Sequence, residues 1–268
     1  MKKIEGIGLQ DVQTVYSGPE GRLWELIMGE QIHIGGFVSS ADLAQRAQIA
    51  PGANGIDLCC CTGAGMRFLV RMQDVARMVG VDATPAVIDV GRRRCRAEGL
   101  AERIDFVLAD VCDSGIESSA ADFVWGEDAW CYVQDKARLI AEAARITKPG
   151  GTIAFTDWVE GPARLDDDQA DRLLRFMKFP NIQDIDGYRD MLQANGCEVL
   201  TAEDTGRFAP YVDLYLDMIG KQLGYDAIKI IGFDKELFAA IAAEMQFMQQ
   251  LARESRIAQA IFIARKRD

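Results

Sequence analysis

The residues whose types and spacing suit chemistry gather in one stretch, Gly55-Ile56-Asp57-Leu58-Cys59-Cys60-Cys61-Thr62-Gly63-Ala64-Gly65. An apolar run carrying one acid passes into small residues and then into Met66-Arg67-Phe68-Leu69-Val70, which reads as a helix. At a strand-to-helix junction, small residues let a ligand approach backbone N–H groups and the positive end of the helix. Three contiguous thiols stand where such loops carry glycine. Consecutive cysteines cannot all converge on one tetrahedral ion, and Cys95, Cys112, Cys131 and Cys197 lack C-x-x-C spacing, so no metal site is expected. The single histidine, His33, rules out a His-rich metal centre and any two-histidine relay. Histidine ordinarily changes charge near neutral pH, which makes His33 a candidate for positioning an acceptor.

Further acids follow at strand ends. Asp82 closes Val79-Gly80-Val81-Asp82-Ala83, Asp110 follows Phe106-Val107-Leu108-Ala109, and Gly126-Glu127-Asp128 ends Asp122-Phe123-Val124-Trp125. Ligands of open α/β sheets bind at the carboxyl ends of parallel strands, where an acid takes up ribose hydroxyls or an amino group. Two loop spacings compete for the cysteine stretch. The dinucleotide pattern, with small residues first, third and sixth, falls on Cys59, Cys61 and Ala64 and contains no glycine. The S-adenosylmethionine pattern, first, third and fifth, falls on Cys59, Cys61 and Gly63 and keeps the upstream acid Asp57. The second spacing fits better.

The elements that must position these residues alternate. Strands are expected at 56–60, 75–81, 104–108, 123–125 and 152–156, with helices at 66–72, 85–98 and 135–146 between them. Such alternation means a parallel sheet with right-handed crossovers. Residues 1–50 read as a helical lid segment, 51–160 as the cofactor-binding core, and 161–268 as a helical cap plus the final strands. The aspartates 166–168 suit the N-terminus of a helix reaching Met177. Helices over 211–223 and 235–254 separate the last two strands, and they read as a cap over the pocket.

Composition narrows the class. Thirty Lys and Arg stand against forty-one Asp and Glu, a net charge of −11 that repels nucleic acid. The N-terminal residues lack the apolar stretch of a signal peptide, no run of eighteen apolar residues offers a membrane span, and seven cysteines are an odd number for a disulfide framework. A cytoplasmic, reduced protein is expected, with small-molecule partners, no nucleic acid and no membrane; a homodimer is compatible with the chain.

With its acids in register, the sequence resembles the class I S-adenosylmethionine-dependent methyltransferases. That resemblance implies an α/β, Rossmann-like seven-stranded sheet with S-adenosylmethionine as cofactor and S-adenosylhomocysteine as product. By the resemblance, Asp57 and the Cys59–Gly63 loop face the methionine part, Asp82 and Ala83 the ribose, and Asp110 with Val111 the adenine. Gly126 or Glu127 would lie near the methionine amino group, and Tyr16 would join the cofactor wall. Within the family, Met28-Gly29-Glu30-Gln31-Ile32-His33-Ile34-Gly35 resembles the W-G-E-x-I-H-x-G segment of sarcosine and dimethylglycine N-methyltransferases. Glu127-Asp128-Ala129 resembles their Q-D-A, which makes Asp128 a second catalytic candidate.

Methyl transfer from a sulfonium is an in-line displacement in which the protein supplies orientation and electrostatics. The leading expectation is a methyltransferase acting on the nitrogen of an amino-acid-like amine. The alternatives are O- or C-methylation in natural-product synthesis and a catalytically dead, partner-binding protein of the same fold. Tyr16, Trp24, Trp125, Trp130 and Trp158 are candidates to enclose a cationic acceptor. Arg67, Arg164, Arg175 and Arg207 are candidates to hold an acceptor carboxylate. Trp130, Trp158 and Arg207 are carried forward as substrate residues. Cysteine is tolerated in such a loop where φ is negative and the thiol points into the core, so Cys59 and Cys61 are expected to do both.

Overall fold

The computed structural model describes residues 1–267. Seven strands form one sheet: β1 (Asn54–Leu58), β2 (Arg77–Asp82), β3 (Ile104–Leu108), β4 (Ala121–Glu127), β5 (Thr147–Glu160), β6 (Cys197–Asp204) and β7 (Ile257–Lys266). Their spatial order is β3-β2-β1-β4-β5-β7-β6. The first five run parallel, and β7 runs antiparallel between β5 and β6. The order reverses beside β1, where chains leave the sheet in opposite directions and open a crevice above the strand ends. This is the expected α/β, Rossmann-like architecture, and β5 exceeds its expected length because nine of its residues pair with β7.

The expected core helices form with shifts of a residue or two at their ends. They are α4 (Ala64–Met72), α5 (Pro85–Ala97) and α6 (Lys136–Ile146). Asp135 caps α6 by accepting the N–H of Arg138 at 2.9 Å. Before the sheet come α1 (Leu9–Ser17), α2 (Pro19–Met28) and α3 (Gly36–Ala47). Gly18 lies between α1 and α2, where an added Cβ would meet the carbonyl of Thr14 at 2.9 Å.

After β5 come α7 (Asp167–Met177), capped by Asp166 as the acidic run implied, and α8 (Ile185–Ala194). Beyond β6 lie α9 (Phe208–Met218), a π-helical turn, α10 (Gly224–Ile230) and α11 (Lys235–Arg253). These last helices do not cover the pocket. Val212, Tyr215, Met245 and Met248 join Leu23, Trp24 and Ile27 of α2 in one buried cluster with Leu173 and Leu174 of α7. The apolar face of α2 needs burial, and the late helices supply it. Cover for the crevice comes instead from α1 and the segment after α2.

Candidate active site

A cavity of about 330 Å³ lies over the carboxyl ends of β1, β2 and β4. Its size suits a small-molecule ligand. Tyr16, His33, Asp57, Cys59, Asp82, Ala83, Asp110, Val111, Glu127 and Asp128 all line it.

The loop after β1 is built around unusual backbone. Cys59 has φ +65° and Cys61 φ +48°, so both thiol residues occupy the left-handed region. The expectation of negative φ for these two is therefore wrong, although Cys59 does pack against the core as expected. Cys60, between them, is the cysteine in the core: it is buried, and a Cβ added to Gly80 would meet its Sγ at 2.5 Å. With left-handed backbone on either side, the Cys60 thiol is buried, while all three residues contribute to the cavity wall. Backbone bonds fix this path. Cys59 N–H and Cys60 N–H donate to the carbonyl of Val81 at 2.9 and 3.1 Å, and Cys61 N–H donates to Asp82 Oδ2 at 2.9 Å. Burial pushes the Cys61 thiol up to about 12 and those of Cys59 and Cys60 well above the usual range. The thiols are neutral, as packing groups would be. Among the described residues, no group of three His, Cys, Asp or Glu is placed to hold a metal ion.

Acids crowd one end of the cavity. Gly65, in the first turn of α4, stands between Asp57 and Glu127: an added Cβ would lie 2.4 Å from Glu127 Oε2 and 3.6 Å from Asp57 Oδ2. Burial, reinforced by Glu127 and Asp82, raises the Asp57 carboxyl well above the ordinary range. Glu127 Oε1 accepts the Ser40 hydroxyl at 2.6 Å and lies 3.3 Å from His33 Nε2. Asp82 Oδ1 accepts Thr84 N–H at 2.8 Å. Burial raises the Asp82 carboxyl, and the N–H donors of Thr84 and Cys61 oppose that rise.

Asp128 has a φ of +48° and serves chiefly as a positioning residue. Its Oδ2 accepts the Ile34 N–H at 2.8 Å and Gln259 Nε2 at 2.8 Å, while the same Gln259 amide donates to the Ile34 carbonyl at 2.9 Å. The segment carrying His33 is thus pinned to β4 and β7. Past the end of β3, Asp110 Oδ1 accepts Cys112 N–H at 2.9 Å beside Val111.

Five predicted residues do not reach the cavity wall. Gly63 is the left-handed N-cap of α4, with Phe106 where a side chain would be. Gly126 faces Trp130, whose Nε1 an added Cβ would meet at 2.4 Å. Trp130 is buried, donates to the Leu58 carbonyl at 3.1 Å and stacks on Phe155. Trp158 packs against Phe179 and Phe208 in the cluster beneath the late helices. Arg207 pairs with Asp42. Each of these large side chains packs or pairs elsewhere, which the one-dimensional pattern does not reveal. Arg164 and Arg175 pair with carboxylates away from the cavity, while Arg67 lies buried behind the wall, paired with Glu98 and with the wall residue Glu30. Arg138, which the sequence did not single out, is the one arginine on the wall, and it sits beside Cys112.

The helix α1 adds Leu9 and Val12 beside Tyr16, a spacing of three and four that puts all three on one face. Gln13 Nε2 ties α1 to the core by donating to the Ala83 carbonyl at 2.7 Å. Tyr132 was also missed. Its hydroxyl accepts or donates with that of Tyr16 at 2.8 Å, and burial raises both phenols above their ordinary range.

The methyltransferase domain family matches residues 56–155, the stretch from β1 into β5. That stretch carries a methyltransferase domain, in keeping with the resemblance read from the sequence. Phosphoethanolamine N-methyltransferase 1 of Arabidopsis thaliana is 24% identical over 201 residues, covering 74% of this chain and 40% of the relative. This chain therefore spans well under half of that relative's length. A protein of Galdieria sulphuraria described as a sarcosine dimethylglycine methyltransferase shares the fold with TM-score 0.83 at 20% identity, covering 93% of this chain and 98% of its own. The [4+2]-cyclase SpnF also shares it, with TM-score 0.78 at 19% identity and 99% of both chains covered. The methyltransferase fold thus carries more than one reaction.

Proposed function

We propose that the chain binds S-adenosylmethionine in this cavity and transfers its methyl group to a small-molecule acceptor, the nitrogen of an amino-acid-like amine. The observation that carries this reading is the ring of carboxylates, Asp57, Asp82, Asp110, Glu127 and Asp128, around a gap that only glycine 65 leaves open. Such a field stabilises the cofactor's sulfonium and ammonium, and the cationic ammonium that an amine acceptor becomes as it takes the methyl group. When bound, the cofactor supplies an electrophilic methyl carbon on a positively charged sulfur.

The chain's own residues bind and orient. Asp82, already holding the loop, is the acid for the ribose hydroxyls, with Ala83 beside it. Asp110 and Val111 take the adenine edge. Glu127 Oε2 and Asp57 flank the place for the methionine ammonium. Tyr16, with Leu9 and Val12 on the same face of α1, excludes water from the reacting end. With both phenols held neutral, the Tyr16–Tyr132 pair offers hydrogen bonds rather than a ready base, which suits an acceptor that arrives unprotonated. All seven cysteines are free, which supports a reducing, cytoplasmic setting.

Calorimetry with S-adenosylmethionine is the first test; absence of binding at millimolar ligand refutes the assignment. A labelled-methyl screen with glycine, sarcosine, dimethylglycine, phosphoethanolamine and phenols then separates acceptors. Transfer to phenols alone rejects the amine.

A further inference from the structure

His33 is 4% exposed, lines the cavity, and is bonded on one side of its ring only. Nε2 lies 3.2 Å from Ser40 Oγ and 3.3 Å from Glu127 Oε1. Ser40 gives its proton to Glu127 at 2.6 Å, and Gln31 Nε2 donates to Ser40 Oγ at 3.0 Å. Both neighbours of Nε2 therefore present acceptors, so Nε2 carries a hydrogen in either charge state of the ring. Nδ1 is buried and has no partner. A buried polar atom without a partner is costly, and at a ligand-binding wall the missing partner is a ligand atom.

The charge around it identifies that atom. The cofactor's amino-acid end carries one ammonium and one carboxylate. Asp57, Glu127 and Asp128 face this end of the cavity and suit only the ammonium. No fixed cation is available for the carboxylate. Arg67 is held by Glu30, Glu98 and the Thr62 carbonyl, and Arg94 by Glu25, with its Nη1 on Thr62 Oγ1. Lys136 is buried on Asn181, and Arg138 sits beside Cys112. The α9 residue Tyr215 approaches His33 only through its hydroxyl at the backbone carbonyl, 3.4 Å away. Arg138 stands at the Cys112 side of the cavity, so among the described residues His33 is the basic side chain at the end formed by Asp57, Glu127 and Asp128.

We propose that His33, as the imidazolium, receives the cofactor carboxylate at Nδ1, so that the chain takes up a proton at this residue when the cofactor binds. The inference rests on the methyltransferase reading above. Protonation makes Nδ1 a charge-assisted donor, and Glu127 on the opposite ring nitrogen stabilises the positive ring. The sign follows: a group bound more tightly when protonated favours the complex at low pH, and that contribution is lost as pH rises through the titration of the complex.

Because His33 is the only histidine, its ring resonances in the full-length, histidine-labelled protein need no assignment. At pH 8, with S-adenosylhomocysteine bound, nitrogen and Cε1–H shifts of an imidazolium are expected. With the decarboxylated analogue, in which a propylamine replaces the amino-acid end, the neutral Nε2–H form is expected. A neutral ring in both complexes, or an imidazolium in both, overturns the proposal. Calorimetry gives the second readout. Affinity for S-adenosylhomocysteine should fall up to about tenfold per pH unit on the alkaline side. His33→Gln should weaken it roughly tenfold or more, flatten the profile, and leave the decarboxylated analogue's affinity unchanged, which separates local loss from misfolding. Binding with a neutral ring rejects this inference alone, whereas no binding of S-adenosylhomocysteine at all rejects the methyltransferase reading and this inference with it.

Discussion

Asp82 Oδ2 accepts the backbone N–H of Cys61 at 2.9 Å, so the acid at the end of β2 shapes the loop at the end of β1. Its other oxygen holds Thr84 N–H at 2.8 Å at the start of α5. Replacing Asp82 by Ala leaves two N–H groups without their acceptor. We expect a loss of about 1–3 kcal/mol in denaturant unfolding and at least a tenfold weaker calorimetric affinity for S-adenosylhomocysteine. Asp82→Asn should recover part of the stability, because its single carbonyl oxygen satisfies one donor. Equal stability of Asp82→Ala and the parent would refute this account.

The left-handed backbone at Cys59 and Cys61 makes glycine the better local fit. A side chain in that region costs about 1–2 kcal/mol, and glycine gives back about 0.5–1 kcal/mol through unfolded-chain entropy. Cys59→Gly and Cys61→Gly should therefore match or slightly exceed the parent in urea unfolding and should still bind cofactor. Cys61→Val, β-branched at positive φ, should be clearly less stable. A marked loss of stability in both glycine variants would mean that the thiols contribute more than the strain removes.

These two sites show what was legible in the sequence and what was not. Asp57, Asp82, Asp110 and Glu127 sat at strand ends, and strand ends were readable from alternating apolar runs, so the acids were found. The sign of φ at Cys59 and Cys61 is set by long-range bonds to Val81 and Asp82, which leave no mark on the local pattern. Trp130, Trp158 and Arg207 were misplaced for the same reason: an aromatic or a guanidinium looks alike whether it faces a ligand, a core or an acid. The late helices looked like a cap because their length was visible, while their partner, the apolar face of α2, was not. Leu9 and Val12 were discoverable, since their spacing with Tyr16 is helical.

Gly65 separates Asp57 from Glu127, so Gly65→Ala tests the gap. The nearest obstacle to the new methyl is Glu127 Oε2, the free end of a side chain, which can move. Stability should change little, because the gain of about 0.5–1 kcal/mol for alanine over glycine in a helix offsets much of the cost of displacing Glu127. Cofactor affinity should fall at least tenfold as Glu127 leaves Ser40. A melting curve and a calorimetric titration on the same sample check both. Unchanged affinity would show that the gap is not used.

Glu142 supplies a pH test far from the cavity. Arg145 is the main cause holding its carboxyl down, at about 2 against an ordinary value of 4.5, with Ser114 N–H and hydroxyl assisting. A depressed acid stabilises the folded state above its unfolded value, and that contribution fades as pH falls from about 4.5 toward 2. Glu142→Gln should melt a few degrees below the parent at pH 7, at about 2–4 °C per kcal/mol, and the gap should close at acid pH. A constant gap across thermal melts from neutral to acid pH would contradict the assignment.

The strand β7 lies in the interior of the sheet, bonded to β5 on one side and β6 on the other. Its Gln259 reaches past the sheet to Ile34 and Asp128, so a side chain 225 residues further along the sequence helps to anchor the His33 segment. During synthesis β6 can join the sheet only once β7 has emerged, because β7 is its neighbour there. The Asp128–Ile34 bond needs no part of β7, whereas the Gln259 half of the clasp waits for it, so the wall of the cavity is assembled in two stages.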